Sequence, residues 1–282
     1  QTNAYVGDGN IIHTQGTVAV QAEDNGHDIK TRPLAAAVGG IGLSGSISVY
    51  HFGGTLSDED RENLTGKTKE DGKNEGYDTW ASAMINDHSS GKAFQNYNSE
   101  SLTGIKEKLG EDFSAKAPDT LGEEGTLAKI GNGSVIAAKG GVTVTATDTL
   151  KIQTEMGNLS GGAAAAGASV SSVKTDKNVK ALIDRAAQID TEGTLSVKAK
   201  DDHSMTSYIV GASVAGGLAV QGTVATWKDH TDVHALIGDT NGISAKKLAV
   251  QAENDRTYDA TLVGASVALV GAVNGAVVTG SA

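Results

Sequence analysis

The sequence predicts an all-β chain: a right-handed parallel β-helix of about eight coils, each of roughly 26–27 residues, carrying one small α-helical insertion. Three observations predict it. Val, Ala, Gly, Thr and Ser dominate, with 37 Gly, two Pro and only 11 aromatics (2 Trp, 6 Tyr, 3 Phe) in 282 residues. That composition is poor for a bulky globular core and suits strands whose backbones approach closely. A column of β-branched residues then recurs: Val20, Ile47, Val144, Val170, Val197, Val224, Val250 and Val277. Its step is constant to within one position everywhere except between Ile47 and Val144. A second marker, small-x-aliphatic-Gly/Asp, recurs at every second step of that column, at Ala4-Tyr5-Val6-Gly7, Ala128-Lys129-Ile130-Gly131, Ala181-Leu182-Ile183-Asp184 and Ala235-Leu236-Ile237-Gly238.

Each unit reads as one coil, with successive coils stacked in parallel about 4.8 Å apart. The valine takes the same interior place in every coil, because a side chain stiff at χ1 suits a ladder of identical neighbours. Right-handedness follows from the strong preference of parallel crossovers. Eight coils predict roughly 38 Å of axial length. A coil twice as long would halve that, and the rise between Val197 and Val224 separates the two.

Residues 1–52 hold the first coils, with "GTVAVQAED" around Val20 and a second strand ending near Ile47. Residues 53–125 differ: they hold 16 Asp+Glu against eight Lys+Arg, net −8 of the chain's −11, and five of the 11 aromatics. Period-2 patterning gives way there to helical spacing. "SDEDRENL" offers a capping box at Ser57 and Asp60. "YDTWASAMINDH" aligns Tyr77, Trp80, Met84, Ile85 and His88, and "SLTGIKEKLGEDF" aligns Leu102, Ile105, Leu109 and Phe113. Two or three short helices are expected, protruding from one turn either as a binding element or as a shield. If it binds, Tyr77, Trp80, Phe94 and Tyr97 are the candidate contacts. Residues 126–282 return to coils, among them "GVTVTATDT", "GTLSVKAKDD" and "KLAVQAEND".

Four positions after each column valine stand Asp24, His51, Asp148, Lys174, Asp201, Lys228, Asn254 and Ser281. With the short coil, Asp148, Lys174, Asp201 and Lys228 become a surface ladder of alternating charge, each pair contributing a few tenths of a kcal/mol. The alternation also explains why the repeat matches better at two steps than at one. A calcium-binding turn stack is the alternative, and lysine on every second coil argues against it. His230 and His234 form H-x₃-H with one residue expected in a turn, and His203 reads as a turn residue like His230. No catalytic, cofactor or metal motif stands out. The Gly-rich "AVGGIGLSG" matches "SVAGGLAVQG" and belongs inside a coil, not around a phosphate. The alanine stretch "SGGAAAAGASVSSV" (160–173) reads as the wall of a narrow interior, with Ala164 or Ala166 pointing inward.

The acidic balance disfavours nucleic acid and anionic membranes as partners. Zero Cys excludes disulfides and thiolate metal sites. No apolar run reaches about 18 residues, so no membrane span is expected. Without evident caps at either end, the chain reads as a piece of something longer.

Segments such as "NVKALID", "GTLSVKAKDD", "VHALIGD" and "YIVGASVAGGLAVQGTVA" resemble the repeats of leukotoxin-type filamentous adhesins, related to filamentous haemagglutinin-like exoproteins. The acidic insert looks similar too. The resemblance implies a non-enzymatic stalk or filament segment, exported by type V secretion and displayed on an outer-membraned bacterial cell surface. It implies a receptor or glycan on a host or neighbouring cell as partner, and no catalytic residue or cofactor. End-to-end self-association of open coil ends, and a polysaccharide-acting β-helix enzyme, are the competing expectations.

Overall fold

A computed structural model describes residues 2–53 and 125–281. These residues form thirteen strands and no helix: β1 (Thr2–Val6), β2 (Ile11–Thr14), β3 (Val18–Thr31), β4 (Leu34–Val38), β5 (Ile41–Phe52), β6 (Gly125–Ile130), β7 (Val135–Ala138), β8 (Val142–Gly162), β9 (Ala164–Ile183), β10 (Gln188–Ala215), β11 (Leu218–Ile237), β12 (Gly242–Ala268) and β13 (Gly271–Ser281). No helix of the described residues is long and apolar enough to cross a membrane. All pairing is parallel and falls into two sheets. One holds β1, β5, β6, β9, β11 and β13; the other holds β2, β3, β4, β7, β8, β10 and β12.

The register corrects the expected period. Val197 pairs with Val144 on one side and Val250 on the other, while Val224 pairs with Val170 and Val277 in the second sheet. The true step is thus twice the expected one, and Val197 and Val224 do not stack. The register partners Ser160 and Ser213 are 53 apart in sequence, and Thr175 and Asp229 are 54 apart. Each pass runs out along one sheet, turns, and returns along the other. In one pass β8 leads to a turn around Ala163 and β9 comes back facing it, which brings Asn158 onto Ser169 and Asp148 onto Lys177. Four such passes, at about 4.8 Å each, rise roughly 19 Å instead of the expected 38 Å.

The column of eight therefore splits into two ladders on different faces. Val20, Val144, Val197 and Val250 stack on the inward face, the first three in the main apolar cluster with Ile130, Val179, Ala181 and Ile183. Ile47, Val170, Val224 and Val277 stack in the other sheet. There the inward positions are odd-numbered through β9: Ser169 meets Asn158, and Lys177 meets Asp148. Val170 consequently points to the opposite face.

The interior is a thin slab divided into strata along the strands. First comes the valine–isoleucine stratum. Charged groups follow, then a stratum of Leu150, Ile152, Met156, Met205, Ile209 and Trp227. Next is an amide–hydroxyl stratum with Asn158, Ser160, Ser169, Ser213 and Gln221. Near the turn, Ala165, Ala215 and Ala219 pack together. The inward alanine is thus Ala165; Ala166 lies on the opposite face with Leu43, Val220 and Val273, and Ala164, two positions before it, shares that face. The two Gly-rich strings form the turns between sheets, where the Gly216 N–H donates to the Gly162 carbonyl of the preceding pass at 3.0 Å.

Pairing of β5 with β9 ends at Phe52 opposite Thr175, and pairing of β6 with β9 begins at Gly125 opposite Asn178. Between these two points β9 has only Asp176 and Lys177. Glycine stands at both lips because a Cβ on Gly53 would run into the Asp176 carbonyl, and one on Gly125 into that of Asn178. The expected helices, and the candidate contacts Tyr77, Trp80, Phe94 and Tyr97, lie outside the described residues.

Candidate functional site

The charged stratum follows from strand alternation. Asp201 and His203 are two positions apart on β10 and share its inward face. Asp148 is the register partner of Asp201, so the sheet fixes their carboxylates on adjacent strands. The opposite sheet supplies Lys177 from β9 and Asp229 from β11. Asp148, Asp201 and His203 are fully buried, and Asp229 and Lys177 nearly so. Carboxylates stacked this closely repel one another unless cations come between them.

Lys177 Nζ donates to Asp148 at 2.9 and 3.2 Å and lies 3.9 Å from Asp24. Thr126 adds a hydroxyl to Asp148 at 3.2 Å. Asp229 is held more completely. It accepts from Thr175 (2.6 Å), Thr231 (2.8 Å), Tyr258 (2.6 Å) and His203 Nδ1 (2.9 Å), and the Arg256 guanidinium lies 3.5 Å away. The other ring nitrogen, His203 Nε2, is 2.9 Å from Asp201 Oδ1 and 3.6 Å from Asp148 Oδ1. Its N–H is not directed along either line. Nε2 and both Asp201 oxygens therefore have no aligned hydrogen-bond partner among the described atoms, despite the short ionic contact.

The protonation states follow from these partners. Burial alone would lower the His203 pKa, but its polar contacts with Asp148, Asp201 and Asp229 outweigh it and push it up to about 10. Burial also opposes the charged form of Asp229, and its hydrogen bonds from His203, Thr175 and Tyr258 hold the carboxyl well below the usual range. Asp148 is depressed against burial by His203 and Lys177. Asp201 is raised, because burial and the neighbouring Asp229 and Asp148 outweigh its contact with His203. Burial and the Asp229 hydrogen bond raise the Tyr258 pKa.

This geometry corrects the expected charge ladder. Asp148 stacks on Asp201 and Lys174 on Lys228, like on like in separate sheets. The acids face the interior instead of solvent, and their counter-charges come from Lys177, His203 and Arg256. His203 is not equivalent to His230, whose side chain is 81% exposed on the outer face of β11. His234 is also exposed on that strand, not divided from His230 by a turn. Four steps along a strand separate the two by about 13 Å, too far to share an ion.

The signal for the site was present as Asp201-x-His203 together with Asp148, one full pass earlier. Reading the repeat at half its length hid it. No protein-family model, curated protein or solved structure matches the chain.

Proposed function

We propose that this chain is a segment of a right-handed parallel β-helix, working as a structural stalk or filament element of a secreted or cell-surface bacterial adhesin, without enzymatic activity. The observation that carries the reading is the parallel register, kept across the passes apart from local shifts at Asp24–His27 and Thr191–Thr194. Val20, Val144, Val197 and Val250 stay aligned through four passes, as do Ile47, Val170, Val224 and Val277. Every pass is hydrogen-bonded to its neighbour along strands of up to 28 residues, which resists bending. A block only about 19 Å thick gives reach only within a longer stack, from further repeats or from further copies. Residues 53–124 are the element offered to a receptor or glycan on another cell, through Tyr77, Trp80, Phe94 and Tyr97.

The polysaccharide-enzyme reading draws no support from the one acid cluster described, since Asp148, Asp201 and His203 are closed off between the sheets. Attachment of cells displaying the full chain, with and without residues 54–124, tests the proposal. Attachment that depends on the segment is expected. Attachment unchanged by the deletion removes the contact assignment, and turnover of a polysaccharide removes the non-enzymatic reading.

A further inference from the structure

Among the described residues, Asp201 is the one buried carboxylate with both oxygens lacking a hydrogen-bond partner. It is fully buried. It sits beside a ring nitrogen, His203 Nε2, that is equally without an aligned partner. Unpaired buried groups of this kind are costly, and the two stand 2.9 Å apart, with Asp148 3.6 Å from the same ring nitrogen. The remaining ring nitrogen is already committed. His203 Nδ1 lies 2.9 Å from Asp229 Oδ2, and Asp229 is anchored by Thr175, Thr231 and Tyr258. A carboxylate holding one ring nitrogen so that the other presents its lone pair is the usual support of a metal-bound histidine.

We propose that Asp148, Asp201 and His203 form a structural site for a divalent transition-metal ion of the Zn²⁺ type, inserted between neighbouring passes. One carboxylate oxygen from each aspartate and a histidine nitrogen lie within 4.8 Å of one another. The measured separations from Nε2, 2.9 Å to Asp201 and 3.6 Å to Asp148, bracket the about 3.3 Å between ligands bound tetrahedrally to zinc. The mixed imidazole–carboxylate donor set favours such an ion over Ca²⁺, which takes six to eight oxygens. The ion binds neutral His203, so its two positive charges replace one proton between the stacked carboxylates. Lys177 keeps its contact with Asp148 Oδ2, at 3.2 Å, when Oδ1 turns to the metal. Because the cluster is closed to solvent, loading accompanies folding. The site is independent of how the chain is used.

The test refolds the full chain from denaturant with Zn²⁺ or with EDTA, removes free metal by gel filtration, and counts bound ions by plasma emission. About one Zn²⁺ per chain is expected, with a higher Tm than the EDTA-refolded protein. Asp201→Asn and His203→Gln are expected to lose at least about tenfold in bound metal, while His230→Gln and His234→Gln keep it. Variants that do not fold do not rescue the idea, because the unmodified chain decides it alone. Refolded chain with native circular dichroism and under about 0.1 ion leaves a purely ionic cluster and overturns the site. Full metal retention by folded Asp201→Asn, or its loss in His230→Gln, overturns it as well.

Discussion

Two strata of the same slab hold polar groups in different ways. In the amide–hydroxyl stratum, like stacks on like: Ser46 on Ser169 at 2.9 Å and Ser160 on Ser213 at 2.8 Å. The Ser213 hydroxyl also reaches the Val220 carbonyl (2.8 Å) and the Gln221 side chain (3.0 Å), and Ser266 repeats the first of these one pass later, to Val273. A hydroxyl both donates and accepts, so a column of identical residues is self-consistent. In the charged stratum, Asp148 over Asp201 is not self-consistent, because an ionised carboxylate only accepts. Cations must interleave: Lys177 reaches Asp148 from the facing sheet, while His203 and Arg256 reach across to Asp229, and the two sheets are thereby keyed to each other. Neutral columns stack like on like and also tie the sheets, through Asn158 to Ser169 and Ser213 to Val220; the charged stratum holds together only through unlike partners.

The largest expected effect breaks the charged side of that comparison. Asp229→Ala strands His203, Tyr258, Thr175 and Arg256 at once and is expected to cost about 3–5 kcal/mol in urea unfolding of the metal-free chain. Ser213→Ala removes a hub of the neutral stratum and is expected to cost about 1–3 kcal/mol. Equal losses would erase the distinction drawn between the strata. Ala165→Leu probes the alanine stratum beyond both; overpacking against Ala215 and Ala219 is expected to cost about 1–3 kcal/mol. A tolerated leucine there means the slab is not narrow.

Ala186 tests the turn at the other end. It has φ 54°, the left-handed conformation that Gly9 (66°) and Gly133 (65°) adopt in equivalent turns. Ala186→Gly is expected to stabilise by about 1 kcal/mol, read as a higher urea midpoint. The smallest effect is on the surface, where Lys30 and Arg32 of the first pass hold Glu155 of the second and lower its pKa. A depressed folded pKa gives stability that is present above the ordinary value of 4.5 and lost as pH falls through the folded value. Between those values wild type is expected to lose slightly more stability on acidification than Glu155→Gln.

The register of the full repeat was readable with single-residue accuracy: Val144, Val197 and Val250 align in sequence and pair in the sheet. What misled was the resemblance at half that period. Both strands of a pass alternate apolar and polar residues, so each looks like a copy of the other. The offset from Val197 to Val224 is odd, however, so Val197 faces the other sheet while Val224, also buried, lies on the opposite face of its own. The same flip aligned Asp202 with Asp229, although Asp202 faces out while Asp229 is buried. His203 looks like a turn residue in the sequence because its pairing with Asp229 depends on two sheets meeting face to face, which no single-strand pattern encodes. The alternation of acid and lysine marks two chemically different sheets.

The gap between Phe52 and Gly125 has a consequence for the order of folding. Within residues 125–281, each strand finds its partner one pass along the chain, as Ser160 finds Ser213 across 53 positions. The first pass must reach much further: Asn25 meets Thr149 across 124. By loop-closure entropy alone the longer span costs about 0.8 kcal/mol more. The three later passes are therefore expected to form the nucleus, onto which residues 2–52 dock last. Pulse-labelled hydrogen exchange would see this as late protection of Val20 relative to Val197. The polypeptide would then assemble against its direction of synthesis, its first-made pass waiting for a surface built from its end.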